Sequence, residues 1–231
     1  MKRWGKMAKV FTRIGKDIVI AIKAGGTDPA TNAKLRAVMQ NARAANMPKA
    51  NIERAIKKAE DKDTADYKET TFEGYAANGV AVIIETATDN NQRTVANVRS
   101  YFNKTNGSLG TTGSVSFMFE HTCFFKIPKA EQDLEELEFE LIDHGAEEVF
   151  VEESDGEEGS EDLIAVYGAF ENFGSLQAAL EEKGFEIKSS GFDRIPTTTK
   201  ELSEDQKVDV EKLLAKLDDD DDVQNVFHNM I

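Results

Sequence analysis

The residues of this chain best suited to chemistry are cations rather than nucleophiles. Wound as a helix at about 100° per residue, Lys9, Arg13, Lys16 and Lys23 fall within about 80° of one another, while Ile14, Ile18 and Ile22 take a different face. A second stripe, Arg36, Gln40 and Arg43, lies opposite the apolar set Leu35, Val38, Met39 and Ala42. A third, Arg54, Lys57 and Lys58, stands clear of Ile52 and Ile56, with Lys49 at its start. Together with Lys2, Arg3 and Lys6, these side chains suit a polyanion. Each phosphate they neutralise releases counterions, so such a surface binds nucleic acid with a strong salt dependence. The bland alternative is a solvated polar face. An ordinary surface mixes its signs, however, and residues 1–60 contain only Asp17, Asp28, Glu53 and Glu60 as acids. Trp4 either stacks on a base or pins the N-terminal arm to the helices.

Other constellations carry less. Gly107, Gly110 and Gly113 recur at threes, but no Gly-Lys-Ser/Thr ending and no immediate helix follow, so a tight loop into a strand is expected instead of a phosphate loop. His121, His144 and His228 are widely separated, and with Cys123 as the one cysteine no zinc spacing exists. The run Asp218 to Asp222 lacks the spacing and closing glutamate of a calcium loop and is expected as a charged break between helix and strand. No Ser-His-Asp, Cys-His or paired-carboxylate arrangement is evident. Catalytic residues, metal ligands, cofactors and a small-molecule substrate are therefore not expected.

The overall charge of −15 conceals a strong polarity. Residues 1–60 hold fourteen Lys and Arg against four acids, a net of +10, whereas residues 61–128 carry −2 and residues 129–231 carry −23. One end can approach phosphate and the other repels it, unless the acidic end folds back to neutralise the basic one. No apolar run is long enough for a membrane span, and the start does not resemble a signal peptide. A single cysteine excludes an internal disulfide and fits a reducing compartment, so the cytoplasm is the expected location.

The elements that must position these residues follow from periodicity. Residues 1–60 read as three amphipathic helices packed as a small bundle. The first stops at Gly25-Gly26, the second starts at Asp28-Pro29, and Asn46-Met47-Pro48 separates it from the third. A linker is expected over 61–72. Beyond it, Val80–Ile84 reads as a buried strand, Arg93–Lys104 as a helix and Ser114–Phe119 as a strand. From Cys123 the grammar is strand Phe124–Ile127, helix Leu134–His144 and strand Val149–Val151. Strand Leu163–Tyr167, helix Phe173–Lys183 and strand Phe185–Lys188 follow, the ferredoxin-like order. A helix capped by Ser203 and a strand Val223–His228 close the chain. The expected fold is multidomain, α and α+β: a basic helical domain (1–60), an α/β domain (73–121 with 197–231) and a ferredoxin-like α/β domain (122–196) inserted in it.

Several stretches resemble the YebC family. They are Gly25-Gly26-Thr27-Asp28-Pro29, the run Asn46 to Lys58, Glu73-Gly74-Tyr75, Asp89 to Thr94, Leu109 to Val115, and Asp222 to Asn229. The resemblance spans nearly the whole chain and implies three domains, one helical and two α/β. Family members are described as probable transcriptional regulators that bind DNA. The mitochondrial relative is a translational activator of cytochrome c oxidase, and bacterial relatives are linked to stalled ribosomes. Met1-Lys2-Arg3-Trp4 stands where the family usually has a longer basic arm, and Tyr75-Ala76-Ala77-Asn78-Gly79 where it often has a proline and more glycine.

The expectation is a non-enzymatic regulator that grips phosphate through its basic helices, with the acidic domains as the rest of a clamp or a docking face. DNA in transcription is the first partner considered, and RNA of the ribosome in translation the alternative. A module that binds an acidic protein through the same helices is a third reading.

Overall fold

The computed structural model describes residues 2–61, 66–130, 132–154 and 161–231, with side chains from Met7 onward. The chain begins α1 (Lys2–Gly25), α2 (Ala33–Ala44), α3 (Lys49–Glu60), β1 (Lys68–Tyr75), β2 (Ala81–Thr88), α4 (Asn91–Lys104) and β3 (Ser108–Leu109). It continues β4 (Phe119–Pro128), α5 (Leu134–Ile142), β5 (Ala146–Glu152), β6 (Leu163–Ala169), α6 (Phe173–Glu182), β7 (Ser189–Pro196), α7 (Glu204–Asp218) and β8 (Val223–His228). Helices thus precede two four-stranded sheets, ordered β3-β1-β2-β8 and β5-β6-β4-β7, in a multidomain α+β fold.

By their contacts the residues form two compact units. One comprises residues 1–20, 57–120 and 194–231, the other 21–56 and 121–193, so the division passes through α1 and α3.

In the first unit, β2 is buried along almost its full length because both its faces are covered. Val82 and Ile84 pack with Val98 and Phe102 of α4 and with Val210, Leu213 and Leu217 of α7. Ala81 and Ile83 pack on the other side with Val115 and Phe119. Strand β8 pairs antiparallel with β2, so the end of the chain completes this sheet. Gly74 has no side chain for a reason. A Cβ there would lie 2.6 Å from the Ser108 carbonyl oxygen and 2.9 Å from the Phe102 ring. In the second unit, the antiparallel sheet buries Cys123, Phe125, Ile127, Ile164 and Val166 against Leu137, Leu141, Leu176 and Leu180 of α5 and α6.

Four expectations need correction. Strand β1 begins at Lys68, inside the segment expected as linker, because its polar residues face water while Phe72 packs on the core. Ser114–Phe119 is not a strand. The amides of Gly113, Val115 and Ser116 each donate at 2.8 Å to the Glu73 carboxylate and cannot join a ladder. Helix α2 starts after Asn32, not at Asp28-Pro29. Asn32 Oδ1 accepts from Leu35 N at 3.0 Å, and Asn32 Nδ2 donates at 2.8 Å to the carbonyls of Ala21 and Gly26. Finally, residues 185–188 are not a strand. Phe185 N still bonds Leu180 O, closing the helix, and the strand proper is Ser189–Pro196.

Candidate nucleic-acid interface

The residues that position the cations are the local stops described above. Gly26 at φ +86° and the Asn32 bridge end α1 and start α2, and Asn46 at φ +52° separates α2 from α3. The side chains then divide into two classes that the residue pattern does not distinguish.

On α1, the successive turns that carry Lys9, Arg13 and Lys16 face the run of aspartates that ends α7. Lys9 pairs with Asp219 and, at 3.6 Å, with Asp218. Arg13 pairs with Asp218 at 2.9 Å and donates through Nε to the Val223 carbonyl at 3.0 Å. Lys16 is buried. Its ammonium donates to the carbonyls of Ala87 (2.8 Å) and Asp221 (2.6 Å) and sits 3.2 Å from Asp222. These three are thus engaged with acids and carbonyls of the protein itself. An acidic turn at a helix C-terminus opposes the helix dipole, and α1 supplies the cations that offset it.

Asp222 is the centre of this network and was not anticipated. It is buried and also accepts from Arg93 (2.8 Å), Thr94 (2.9 Å) and Thr88 (3.1 Å). Burial by itself raises the pKa of its carboxyl, but the hydrogen bonds from Arg93, Thr94 and Lys16 outweigh it and hold the pKa below the ordinary value. Asp218 behaves in the same way, with burial outweighed by Arg13 and Lys9. Glu73 is a second buried carboxylate overlooked from composition. Burial opposes its charge, and the three amides of the 113–116 loop overcome it. These amides are the groups a phosphate loop would offer, and a glutamate already occupies them. Glu73 and the stretch Asp89 to Thr94 both lie in the family-like segments, which is the signal that marked them.

The cations of α2 and α3 fare differently. Arg36 is taken, forked on Glu181 at 2.7 and 3.0 Å with its Nη1 on the Pro29 carbonyl at 2.7 Å. Arg43, Lys49, Arg54, Lys57 and Lys58 are exposed, as is Lys23 at the end of α1. Lys49 makes an exposed i, i+4 pair with Glu53 at 3.6 Å. Lys58 reaches the Tyr67 hydroxyl at 2.5 Å and lies 4.8 Å from the ring centroid. Lys2, Arg3 and Lys6, with Trp4, lie outside the residues whose side chains are described. Asn41 is engaged with Ser190 through both its donor and its acceptor, at 2.7 and 2.9 Å. The carbonyl oxygen of Gln40 is buried.

Comparison with known proteins identifies the lineage. A family model for the TACO1/YebC N-terminal domain matches residues 1–62, and one for the second and third domains matches residues 67–230. The chain belongs to the TACO1/YebC family. A probable transcriptional regulatory protein of Flavobacterium psychrophilum is 63% identical over 230 residues, covering 100% of this chain and 94% of the relative. One of Flavobacterium johnsoniae is 64% identical with the same coverage. One of Myxococcus xanthus is 52% identical, with 100% and 95% covered. The crystal structure of a conserved hypothetical protein from Aquifex aeolicus superposes with a TM-score of 0.77 at 35% identity, over 97% of this chain and 90% of that one. No helix among the described residues is long and apolar enough to cross a membrane.

Proposed function

We propose that this member of the TACO1/YebC family is a non-enzymatic, cytoplasmic nucleic-acid-binding regulator whose basic residues 1–60 form the binding domain. Its grip on the phosphate backbone comes from the exposed cations Lys23, Arg43, Lys49, Arg54, Lys57 and Lys58. The observation that carries this reading is the division among the cations. Lys9, Arg13, Lys16 and Arg36 are held by internal acids, while Arg43, Arg54 and Lys57 project to water in a chain of net charge −15. Keeping like charges exposed on neighbouring turns costs free energy unless a polyanion neutralises them. The names of the relatives favour duplex DNA and transcription.

A second reading, binding to structured RNA of the ribosome, rests on a separate observation. The amides of α2 that would read base edges, Gln40 and Asn41, are turned inward or engaged with Ser190. The surface left is one of charge alone, which holds phosphate in either nucleic acid with little base readout.

Sedimentation of the tagged protein from lysate through a sucrose gradient at physiological salt, with and without RNase, separates the two. Comigration with ribosomes that RNase and high salt both abolish establishes the translational reading and removes the promoter one. Protein in the light fractions that recovers particular promoter fragments after crosslinking establishes transcription. Absence from both, with no salt-dependent binding to DNA or RNA in vitro, overturns the proposal.

A further inference from the structure

The second unit has a sheet face, opposite its helices, unlike the usual polar side of an antiparallel sheet. One face carries Cys123, Phe125, Ile127, Ile164 and Val166 and is covered by α5 and α6. Residues of the opposite parity stand on the other. The register sets Phe124 of β4 and Glu148 of β5 on either side of Tyr167 of β6, and Lys126 and Phe150 on either side of Ala165. Three aromatic rings therefore share this face. The Phe124 and Tyr167 centroids are 5.9 Å apart, and Phe150 stacks on Tyr167 at 5.8 Å with 12° between the planes. Gly191 of β7 keeps the platform level, since a Cβ there would come within 3.1 Å of the Phe124 ring. Phe150 is 43% exposed.

The charge around the rings is mainly negative. Tyr167 feels the carboxylates of Asp193, Glu152 and Glu148, which, after burial, push its hydroxyl pKa upward. The lysine on the face, Lys126, is already paired with Glu152 at 2.5 Å. Residues 121–193 as a whole contain four Lys and Arg against twenty-one Asp and Glu.

We infer that this aromatic, acid-rimmed face of the β5-β6-β4-β7 sheet is a docking surface for an extended, arginine-rich segment of a protein partner. Charge complementarity selects the occupant. The acids repel phosphate, so rings in this setting, of which Phe150 is the exposed one, do not serve bases as they would on a basic sheet. Ring faces attract cations, and a guanidinium both stacks on an aromatic plane and forks onto a carboxylate such as Glu148. The water-facing side of an antiparallel sheet is ordinarily polar, and three adjacent aromatics there are explained by a ligand that covers them. This surface is independent of the cations of α2 and α3, and neither proposal rests on the other.

The test is fluorescence anisotropy of a labelled nona-arginine peptide titrated with the full-length protein and three variants, each first confirmed as folded by circular dichroism. Glu148→Lys is expected to weaken binding about tenfold, the equivalent of about 1.4 kcal/mol. Phe150→Ala changes no charge and is expected to weaken it roughly threefold through removal of the ring. Glu182→Lys, an equal charge change at an exposed site on α6, is expected to alter it less than about twofold if the face rather than the overall charge decides. Equal losses for Glu148→Lys and Glu182→Lys, or no loss for Phe150→Ala, would overturn the inference by reducing binding to general attraction. Binding of labelled oligouridine that depends on Phe150 would also overturn it, and assign the face to RNA.

Discussion

The ammonium of Lys16, near the start of the chain, lies 3.2 Å from Oδ1 of Asp222, near its end, and both side chains are more than nine-tenths buried. Removing one member of such a pair leaves the other charged, desolvated and only partly compensated. Lys16→Ala is therefore expected to destabilise the protein by roughly 3–5 kcal/mol, measured as the loss in unfolding free energy in urea at neutral pH. A loss below about 1 kcal/mol would place Lys16 with ordinary surface lysines.

Acid should unfold the protein in two stages. Burial lowers the pKa of His228, so the folded state resists a proton that the unfolded chain accepts. The stability it contributes is complete above the ordinary histidine value and declines as the pH falls from there through the folded value. Asp222 and Glu73 are also depressed, and their contributions are complete above the ordinary carboxylate values and decline as the pH falls through their lower folded ones. Stability measured against pH should show a shallow loss starting near about 6.5 and a steeper one below about 4. His228→Phe should remove the first without the second. A single transition in the wild type would contradict the assignment.

Much of this was legible beforehand, and the part that was not has a common cause. Helices ended by Gly25-Gly26 and Asn46-Pro48, and the Ser203 cap, follow from local rules that residues obey in isolation. The terminal strand Val223–His228 emerged from its apolar content. Pairings between distant residues did not. Nothing local in Ser114–Phe119 announces that Glu73 will take its amides, and Lys9, Arg13 and Lys16 look on a helical wheel like Arg43, Arg54 and Lys57. Only the sheet that brings β8 beside β2, and the aspartates with it, tells the two groups apart.

That distinction predicts opposite phenotypes. Arg43→Glu with Arg54→Glu and Lys57→Glu should reduce affinity for duplex DNA and RNA alike. It should also flatten the dependence of log K on log salt, by about 0.9 for each DNA phosphate no longer neutralised, while the melting temperature changes little. Lys9→Ala should leave nucleic-acid affinity within about twofold. Equal effects of the two on binding would return α1 to the interface.

Arg36 offers a control within the second unit. Its fork on Glu181 is half-buried and its bond to Pro29 is exposed, so Arg36→Ala should cost about 1–2 kcal/mol of stability and leave nucleic-acid affinity unaltered. Thermal unfolding and anisotropy on the same preparation check both halves.

The Glu73 carboxylate acts on its loop as a bound anion would. Glu73→Gln keeps the shape but removes the charge that three amides share. Hydrogen exchange at Gly113, Val115 and Ser116 should quicken by at least about tenfold, a loss of about 1.4 kcal/mol. Unchanged protection would show that the loop is held by packing alone.

The contacts between α1 and the aspartate turn join residues 205 to 210 positions apart, which gives them a meaning during synthesis. A chain made N-terminus first at about 5–20 residues per second has its basic helix roughly 10–40 s before its acidic counterpart. Through that interval Lys9, Arg13 and Lys16 have no Asp218, Asp219 or Asp222 to meet. The nascent chain is a polycation only at first: residues 1–128 carry a net +8, whereas residues 1–217 already carry −10. The aspartate turn therefore meets its cations on α1 after the chain as a whole has changed sign, and among the described side chains the positive charge that the basic segment still offers to water lies on α2, α3 and the end of α1.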